Sequence, residues 1–547
     1  METADGPTAG WAPLKVLEEK LSLGDVRVDR RILTMARDCL SAGRSSVSGM
    51  FGAGGKLKAS TALLSNERAA LGDLRDGLYQ LTLSQMHPGQ TVIVAYDPTL
   101  LDFSGHNRKL DRTRIGDGRG RGYIWHNAAA IDFSERTLMG PLYQGLVAKD
   151  GPDDASTIDY APGVKDQRLR SKLERNEKQQ FLIQAQRVDR LVPPEIELRH
   201  VADREFDDGL ALRALGKLSE RSKFVIRGMD NRAIQVHAAH WLPKNRERPS
   251  PQGRLPAPPE EEQGLEDAYL HDVVRSLPLQ RYKTLPLDDR NRRCPAGAQP
   301  ARLAKLSIGA VSIRLARQSK RGQWAHLPED PIWLNLVVVR ELHPPKGVKP
   351  LQWLLLTDLP VSTLEEQAEV AETYGCRWRI EEFFRTTNDA LHVEESKLDD
   401  AESTARLLFF VTLKAIFLDS LRTQAGIPAG VPPTTEQRQE MKRGAVQAKQ
   451  IEQDRQKGVE PPPLSAQARA RMALGLLAEH GRWTGKSGAH LGNYVLLWGL
   501  PILIHDLSEG RYRWLFDDAL PPRAQRDRPT QGDPPPTQPA GLGEVGY

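Results

Sequence analysis

Residues 374–384 read YGCRWRIEEFF, and the stretch has the residue spacing of a helix with a polar and an apolar side. Tyr374, Arg377 and Glu381 recur after three and then four residues, so one helix face carries all three. One interpretation is a functional polar face. The other is a solvated charged face stabilised by an ion pair between Arg377 and Glu381, one turn apart. Spacing alone leaves both interpretations open.

The helix that carries this stretch is expected to begin upstream of it. Ser362 followed by Glu365 has the spacing of a capping box, in which the two side chains accept each other's backbone N–H. We therefore predict Ser362 as the N-cap of a helix that runs from residue 362 to about residue 392.

Two aspartates follow short apolar runs earlier in the chain. Residues 91–96 (TVIVAY) predict a strand that stops at Asp97 and Pro98, and residues 196–202 predict a strand that ends at Asp203. Active sites of α/β sheets often lie just beyond such strand ends, which makes Asp97 and Asp203 candidate site residues. Further carboxylates lie beside the candidates and compete with them: Asp102, Asp207, Asp208 and Glu382.

Several segments, in the same order, resemble those of insertion-sequence-four-type bacterial DDE transposases, the hairpin-forming cut-and-paste group with the YREK signature. The pattern YxxRxxxE at 374–381 resembles the signature helix of that family. The stretch at 23–66 resembles its N-terminal DNA-binding helices. The other matching segments are AYDPT at 95–99, VADREFD at 201–207, FVIR at 224–227 and WLLLTDLP at 353–360.

The resemblance implies a role for each matching residue. Asp97, Asp203 and Glu381 match the family's catalytic triad, which holds two Mg²⁺ ions, with Mn²⁺ as an alternative ion. Carboxylates suit this task because hard cations prefer oxygen ligands. Tyr374 and Arg377 match residues that contact phosphate. Considered without the family, each could instead be a packed aromatic or an ion-paired arginine.

Two more residues are expected to contact DNA. Arg227 is a second candidate for gripping phosphate, because a guanidinium offers two parallel donors. Trp353 matches an aromatic that stacks on a base flipped out of the duplex, since an aromatic face replaces lost base stacking. A tryptophan in the hydrophobic core is an equally good interpretation of that position.

At one position the sequence departs from the family. The pattern places a lysine seven residues after the glutamate, where this chain has Asn388. Asparagine donates a hydrogen bond but carries no charge, so a phosphate contact would be weakened or supplied from elsewhere. Two helical turns separate the positions, and Asn388 is therefore expected on the face of Tyr374, Arg377 and Glu381.

The expected fold is an RNase H-like α/β catalytic core with a helical domain on either side. Residues 1–80 would form an N-terminal DNA-binding domain, with Arg27, Arg30 and Arg31 on its helices, and the remainder should fold without residues 1–70. The core would span 81–400, interrupted by a β-rich insertion at about 228–360. Residues 401–517 would form a C-terminal helical domain for dimerisation, which opens with an amphipathic helix at 403–421 and includes two further helices at 466–479 and 489–507. Residues 518–547 are rich in Pro, Gly and Gln, which is typical of a disordered tail.

Composition limits the class of protein. A chain of 547 residues suggests about three domains, and 39% hydrophobic residues are enough for them. The net charge of +5 does not itself indicate a nucleic-acid partner, but basic residues cluster locally, including at 108–121 and 442–457. The three cysteines are isolated, and no apolar stretch is long enough to span a bilayer, so we expect a cytoplasmic protein without disulfides.

The partners expected from the resemblance are double-stranded DNA, both transposon ends and target, and a second copy of the chain in a synaptic complex. Two other functions compete. One is a DNA-binding regulator, or domesticated protein, that holds ends without cutting them, which the intact triad disfavours. The other is a simple metal-dependent nuclease, which the flanking helical segments disfavour because hydrolysis alone needs neither.

Overall fold

The fold is seen in a computed structural model. It describes residues 12–41, 47–149, 151–152, 177–237, 264–287, 302–315, 332–424, 434–459 and 464–480, with isolated positions at 502, 503, 512 and 515. Most of the predicted helix at 489–507 and the whole predicted tail lie outside these residues. No helix in these ranges is long and apolar enough to cross a membrane.

The N-terminal part of the described chain is helical, as the sequence predicts. Its helices are α1 (Ala12–Lys20), α2 (Val26–Ser41), α3 (Val47–Phe51), α4 (Gly55–Leu64) and α5 (Leu71–Leu83). Their apolar residues recur at helical spacing and are buried. They belong to the same hydrophobic cluster as one face of the sheet described next, so these helices do not have a separate core.

The described strands form one mixed sheet. The strands are β1 (Thr91–Asp102), β2 (Thr113–Ile115), β3 (Gly120–Asp132), β4 (Leu138–Ala148), β5 (Gly151–Pro152), β6 (Glu197–Ala202), β7 (Ser222–Arg227), β8 (Ala233–His237), β9 (Leu265–Tyr269), β10 (Gln280–Leu287), β11 (Arg302–Leu315), β12 (Trp333–Glu341) and β13 (Gln352–Thr357). Their order is β5-β4-β3-β1-β6-β7-β13-β12-β11-β8-β9, with β2 on β3 and β10 on β11. The strands at 233–357 thus extend the same sheet instead of forming a second one.

Helices cover both faces of the sheet. One face packs against α6 (Glu177–Leu191), α7 (Gly209–Leu215) and α8 (Leu270–Ser276). The other packs against α9 (Leu364–Gly375), α10 (Trp378–Phe384) and α11 (Ala401–Gln424). Two further helices follow, α12 (Thr435–Gln456) and α13 (Ala466–His480).

Strand β1 does not stop where the sequence predicts. It continues through Asp97 and Pro98 to Asp102, paired with β3 throughout. The parallel pairing with β6 ends at Tyr96 and Ala202, so Pro98 lies where β1 has a neighbour on one side only. Proline is tolerated there because its missing N–H removes no ladder hydrogen bond on the open side.

The predicted long helix at 362–392 is divided. Thr363, not Ser362, is the N-cap, and its capping-box partner is Glu366, one residue later than predicted. Helix α9 ends at Gly375 and α10 begins at Trp378. Residues Arg385–Ala390 then form a π-helical turn, in which the Leu391 N–H donates to the Thr386 carbonyl at 2.9 Å.

Helix α11 is buried along its length, and the prediction of an amphipathic helix is wrong. Residues 403–419 are all buried, including its charged residues. Arg406 donates to the carbonyls of Leu64 and Ala69 at 3.0 and 2.7 Å, and Lys414 donates to the carbonyl of Cys39 at 3.0 Å. Because these polar groups have fixed acceptors on the N-terminal helices, the helix can be covered on every side.

Candidate active site

Three adjacent strands bring Asp97, Asp203 and Arg227 into one row. Tyr96 is in register with Ala202, and Ala202 with Ile226, so the residues that follow them are neighbours across β1, β6 and β7. All three side chains point to the face that α9 and α10 cover, because side chains alternate along a strand. Arg227 forms an ion pair with Asp203 at 3.7 Å.

Helix α10 adds the third carboxylate to this row. Arg377, at its N-cap, donates to the Asp97 carboxylate at 3.3 Å and also to the Glu381 carboxylate. The side chains of Asp97 and Glu381 are 25% and 29% exposed, whereas that of Arg377 is 10% exposed. The ion pair between Arg377 and Glu381 therefore exists, but in a cleft that it shares with Asp97 and not on a solvated surface.

The electrostatics of the row centre on Asp97. Burial raises the pKa of Asp97 to about 7; Arg377 opposes this shift, and the negative charges of Glu381 and Asp203 add to it. Burial by itself would lower the pKa of Arg377, but the neighbouring Tyr374, Glu381 and Asp97 raise it above its usual value. The guanidinium is the cation that keeps two close carboxylates compatible.

Tyr374 and Trp353 pack together beside this row. Their ring centroids are 5.4 Å apart in an edge-to-face arrangement, and Tyr374 is buried while Trp353 is half-buried. Burial raises the pKa of the Tyr374 hydroxyl. The tyrosine lies against Arg377, whose guanidinium carbon is 5.9 Å from its ring centroid. Both aromatics thus form a wall of the cleft.

Asn388 lies in the π-helical turn and is half-buried. Its amide donates to the Thr99 hydroxyl at 2.9 Å, two residues beyond Asp97 on β1. A straight helix would have placed position 388 on the face of Tyr374 and Glu381. Residue 388 is instead in a π-helical turn, but Asn388 still binds the strand that carries the first aspartate, on the face of that aspartate.

The carboxylates that compete with the first and second aspartates have structural partners of their own. Asp207 is buried and forms an ion pair with Arg232 at 2.6 Å, and it also accepts from the backbone of Met229. Asp208 caps α7 by accepting from Leu210 and Ala211, and it pairs with Lys178 at 3.2 Å. Asp102 is exposed and binds Ser104 within its own turn.

Glu382, next to Glu381, belongs to a buried charge network. It pairs with Arg379, which also binds Asp419 of α11 at 2.6 Å. Burial raises the pKa of Glu382, although Arg379 opposes the shift. Successive helix positions point about 100° apart, so one glutamate faces the cleft and the next fastens α10 to α11.

Two features of the cleft were not foreseen. Glu205, exposed just after Asp203, is close enough for its charge to raise the pKa of Asp97. Asn127 is paired opposite Asp97 on β3 and accepts from Gln144, which also donates to Thr412 of α11. Short sequence patterns around single polar residues gave no signal for either.

The carboxylate row contains the oxygen ligands that divalent cations prefer, but it is occupied by arginines. Among the described residues, no group of three or more His, Cys, Asp or Glu side chains is placed to hold a metal as the side chains stand. In the row, arginines occupy the space between carboxylates: Arg377 binds Asp97 and Glu381, and Arg227 binds Asp203. The donor chemistry nevertheless fits, because the oxygen ligands preferred by hard cations converge here; burial chiefly raises the pKa of Asp97, and the charges of Glu381 and Asp203 add to the shift.

The row combines carboxylates with the buried Arg377 and the half-buried Arg227 on neighbouring central strands, an arrangement suited to phosphodiester chemistry. Residues 176–418 match a family model described as the transposase DDE domain. This part of the chain, somewhat less than half of it, is similar to that domain, and the similarity supports an enzyme that catalyses DNA cleavage and strand transfer. The matched range contains Asp203 and Glu381, whereas Asp97 precedes it. DDE transposases use divalent metal ions and act on DNA.

Proposed function

We propose that the protein is a cut-and-paste transposase of the insertion-sequence-four type, which binds transposon ends, cleaves them through a DNA hairpin intermediate and joins the 3′ ends to target DNA. The observation that carries the proposal is the convergence of Asp97, Asp203 and Glu381 on one cleft, with Arg377 between two of them. Family resemblance supplies the hairpin step.

In this proposal Asp97, Asp203 and Glu381 hold two Mg²⁺ ions, with Mn²⁺ as an alternative. When bound, the ions supply a strong oxygen nucleophile and neutralise charge on the entering and leaving oxygens. The carboxyl of Asp97, whose pKa burial raises to about 7, would serve as a ligand in its deprotonated form. Once Asp97 and Glu381 held cations, they would no longer pair with Arg377.

The released guanidinium of Arg377 then donates two parallel hydrogen bonds to phosphate oxygens, a geometry suited to arginine. Arg227 holds the strand from the opposite side of Asp203, from which it is 3.7 Å away. Tyr374 supports Arg377, and the half-buried Trp353 stacks on an unstacked base. The buried packing of the two aromatics keeps this wall in place while the strand is distorted.

The flanking helices would supply recognition and assembly. Arg27 and Arg30 on α2 are exposed and available for phosphate, whereas Arg31 donates to the Ser60 hydroxyl at 3.1 Å and fastens α2 to α4. The proposed organisation keeps a DNA-binding segment at 1–80, a catalytic core at 81–400 and a dimerising helical segment at 401–517. A dimer would synapse two ends.

The test is cleavage of a duplex that carries the end sequence of the element encoding the chain, with Mg²⁺ present. Asp97→Asn, Asp203→Asn and Glu381→Gln should each slow nicking at least roughly a thousandfold while end binding survives. Asp102→Asn is the matched control, because Asp102 is an exposed carboxylate on the same strand as Asp97. It should nick at the wild-type rate.

The products separate the competing functions. Hairpin and excised products support the transposase, whereas nicks without hairpins or joined products support a simple nuclease. Binding without any cleavage by the wild-type chain supports a regulator that only holds ends. Substantial Mg²⁺-dependent nicking by any of the three variants would contradict the assignment of the site.

A further inference from the structure

Residues 103–121, here called the basic loop, are fixed to the first turns of α11. Lys109 is buried, donates to the Thr404 hydroxyl at 2.9 Å and lies 4.4 Å from the ring centroid of Phe103. Asp111 accepts from the backbone N–H of Ala401 at 2.7 Å. These inner contacts give the loop a defined position on the molecule.

The outer side of the basic loop is positively charged. Arg108, Arg114, Arg119 and Arg121 are exposed. Arg119 has an ion pair with Asp117 at 3.5 Å, but within the described parts of the chain the guanidinium groups of the other three have no hydrogen bond or ion pair. The loop thus presents cationic groups without internal acceptors.

Two of these arginines are directly opposite each other. Arg114 on β2 is in register with Arg121 on β3, so their side chains share one face. Like charges at directly opposed positions destabilise a strand pair. A local cost of this kind, beside a functional site, indicates an anionic partner that offsets the repulsion.

The opposed arginines lie on the same side of the sheet as the active site. Tyr123, Trp125 and Asn127 alternate onto the face of Asp97, and Arg121 continues that alternation. Arg121 precedes Asn127, the partner of Asp97, by six residues of β3. At about 3.4 Å per residue this is roughly 20 Å, or about six base pairs of duplex.

The basic loop and the N-terminal helices both contact the first turns of α11. Thr404 binds the loop through Lys109, and Arg406, two residues later, binds the backbone of Leu64 and Ala69. Two helical residues span about 3 Å along the axis but project about 200° apart, so the two contacts are at one level of α11 and on different sides of it. The loop and the N-terminal helices are therefore both held at the same end of α11.

We propose that the basic loop grips the transposon-end duplex about six base pairs from the scissile phosphate, with Arg114 and Arg121 as a pair that binds one backbone. This inference rests on the proposed function and specifies how the end is held between the cleft and the N-terminal helices. The contact is to phosphate, so it adds affinity and register without reading bases.

The test compares full-length proteins in binding to the element's own end duplex. Arg114→Ala with Arg121→Ala should weaken binding roughly tenfold at about 0.1 M salt and lower the salt-dependence slope by about two, one for each lost phosphate contact. The matched control is Arg190→Ala with Lys217→Ala, which removes the same charge from exposed positions on and beside α6 and α7, across the sheet. The control should bind within about twofold of wild type.

A second arm locates the contact. Neutral methylphosphonates about six base pairs from the cleavage point should weaken wild-type binding but leave the affinity of the arginine double variant unchanged. If the wild type and the double variant bind with equal affinity and equal salt-dependence slopes while the wild type cleaves normally, the proposed role of the loop is wrong. The proposed function would not be affected by that result. Failure of the wild type to bind its end duplex would overturn the proposed function and this inference together.

Discussion

Neighbouring glutamates in α10 have opposite roles. Glu381 faces the cleft, where it shares Arg377 with Asp97, and Glu382 is buried against Arg379. Family resemblance identified Glu381, but sequence spacing could not say what surrounds Glu382. Its partner Asp419 is on another helix, and a pattern within one helix holds no information about that contact.

At this scale we predict that Glu382→Ala lowers the free energy of unfolding by about 3–5 kcal/mol, because it leaves the buried Arg379 with only one of its two carboxylate partners. Glu381→Ala should cost less than half as much, since Arg377 keeps Asp97 as a partner at 3.3 Å. Urea denaturation of the two variants measures the difference.

Asp419→Ala serves as the control, because it removes the other carboxylate that binds Arg379. It should destabilise the protein as Glu382→Ala does. Equal urea midpoints for Glu381→Ala and Glu382→Ala would show that the charge network contributes nothing specific to stability.

At the scale of elements, α11 decides how the molecule is assembled. It touches the basic loop, the N-terminal helices and the buried network of α10, and its polar side chains are used in those contacts. Periodicity predicted a helix here, correctly, but an amphipathic one. The error arises because charged residues usually indicate a solvated face, whereas Arg406 and Lys414 bind backbone carbonyls in the interior.

We therefore predict that deleting residues 1–70 prevents the remainder from folding stably, contrary to the expectation of an independent N-terminal module. The deletion removes the carbonyl acceptors of Arg406 and Lys414 that lie at Cys39, Leu64 and Ala69, and it exposes apolar surface of α11. Charged groups that are buried without partners and core residues that become exposed to water both lower the free energy of unfolding by a large amount. Thermal unfolding followed by circular dichroism should show loss of the cooperative transition.

The paired control keeps the helices and removes only surface charge. Arg27→Ala with Arg30→Ala should melt within a few degrees of wild type, because both side chains are exposed. A truncated chain with the wild-type melting temperature would show that the N-terminal helices are a separable unit after all.

At the scale of the whole molecule, the sheet buries titratable groups that sequence patterns could not locate. His126 on β3 and His200 on β6 are almost fully buried, and the Tyr96 hydroxyl lies 2.7 Å from Nδ1 of His200. Burial lowers the pKa of each histidine from 6.5 to about 4. The strands that carry the two histidines were predicted from the sequence. The burial of the two side chains could not be predicted, because it depends on helices that are distant in the sequence and cover the faces of the sheet.

These histidines make stability depend on pH. Between pH 6.5 and about 4 the unfolded chain binds a proton at each histidine and the folded chain does not. The free energy of unfolding should therefore fall as pH decreases through this window, by up to about 1.4 kcal/mol per pH unit for each histidine. The measurement is a series of urea denaturation curves across that range.

Comparison with His126→Gln plus His200→Gln isolates the effect, because Asp97, with its pKa raised to about 7, acts in the opposite direction in both proteins. The difference between the two proteins should shrink as pH falls toward 4. A difference that stays constant with pH would mean that the histidines do not titrate differently on folding.

The contact between Arg377 and Asp97 joins residues 280 positions apart, and it has a consequence for the growing chain on the ribosome. At typical rates of synthesis, roughly 15 to 60 seconds separate the emergence of the two residues. During that time β1 carries its aspartate without the arginine and glutamate that complete the cleft. A nascent or prematurely terminated polypeptide that stops before Arg377 thus lacks the assembled cutting centre, so translation itself delays the moment at which nuclease activity appears in the cell.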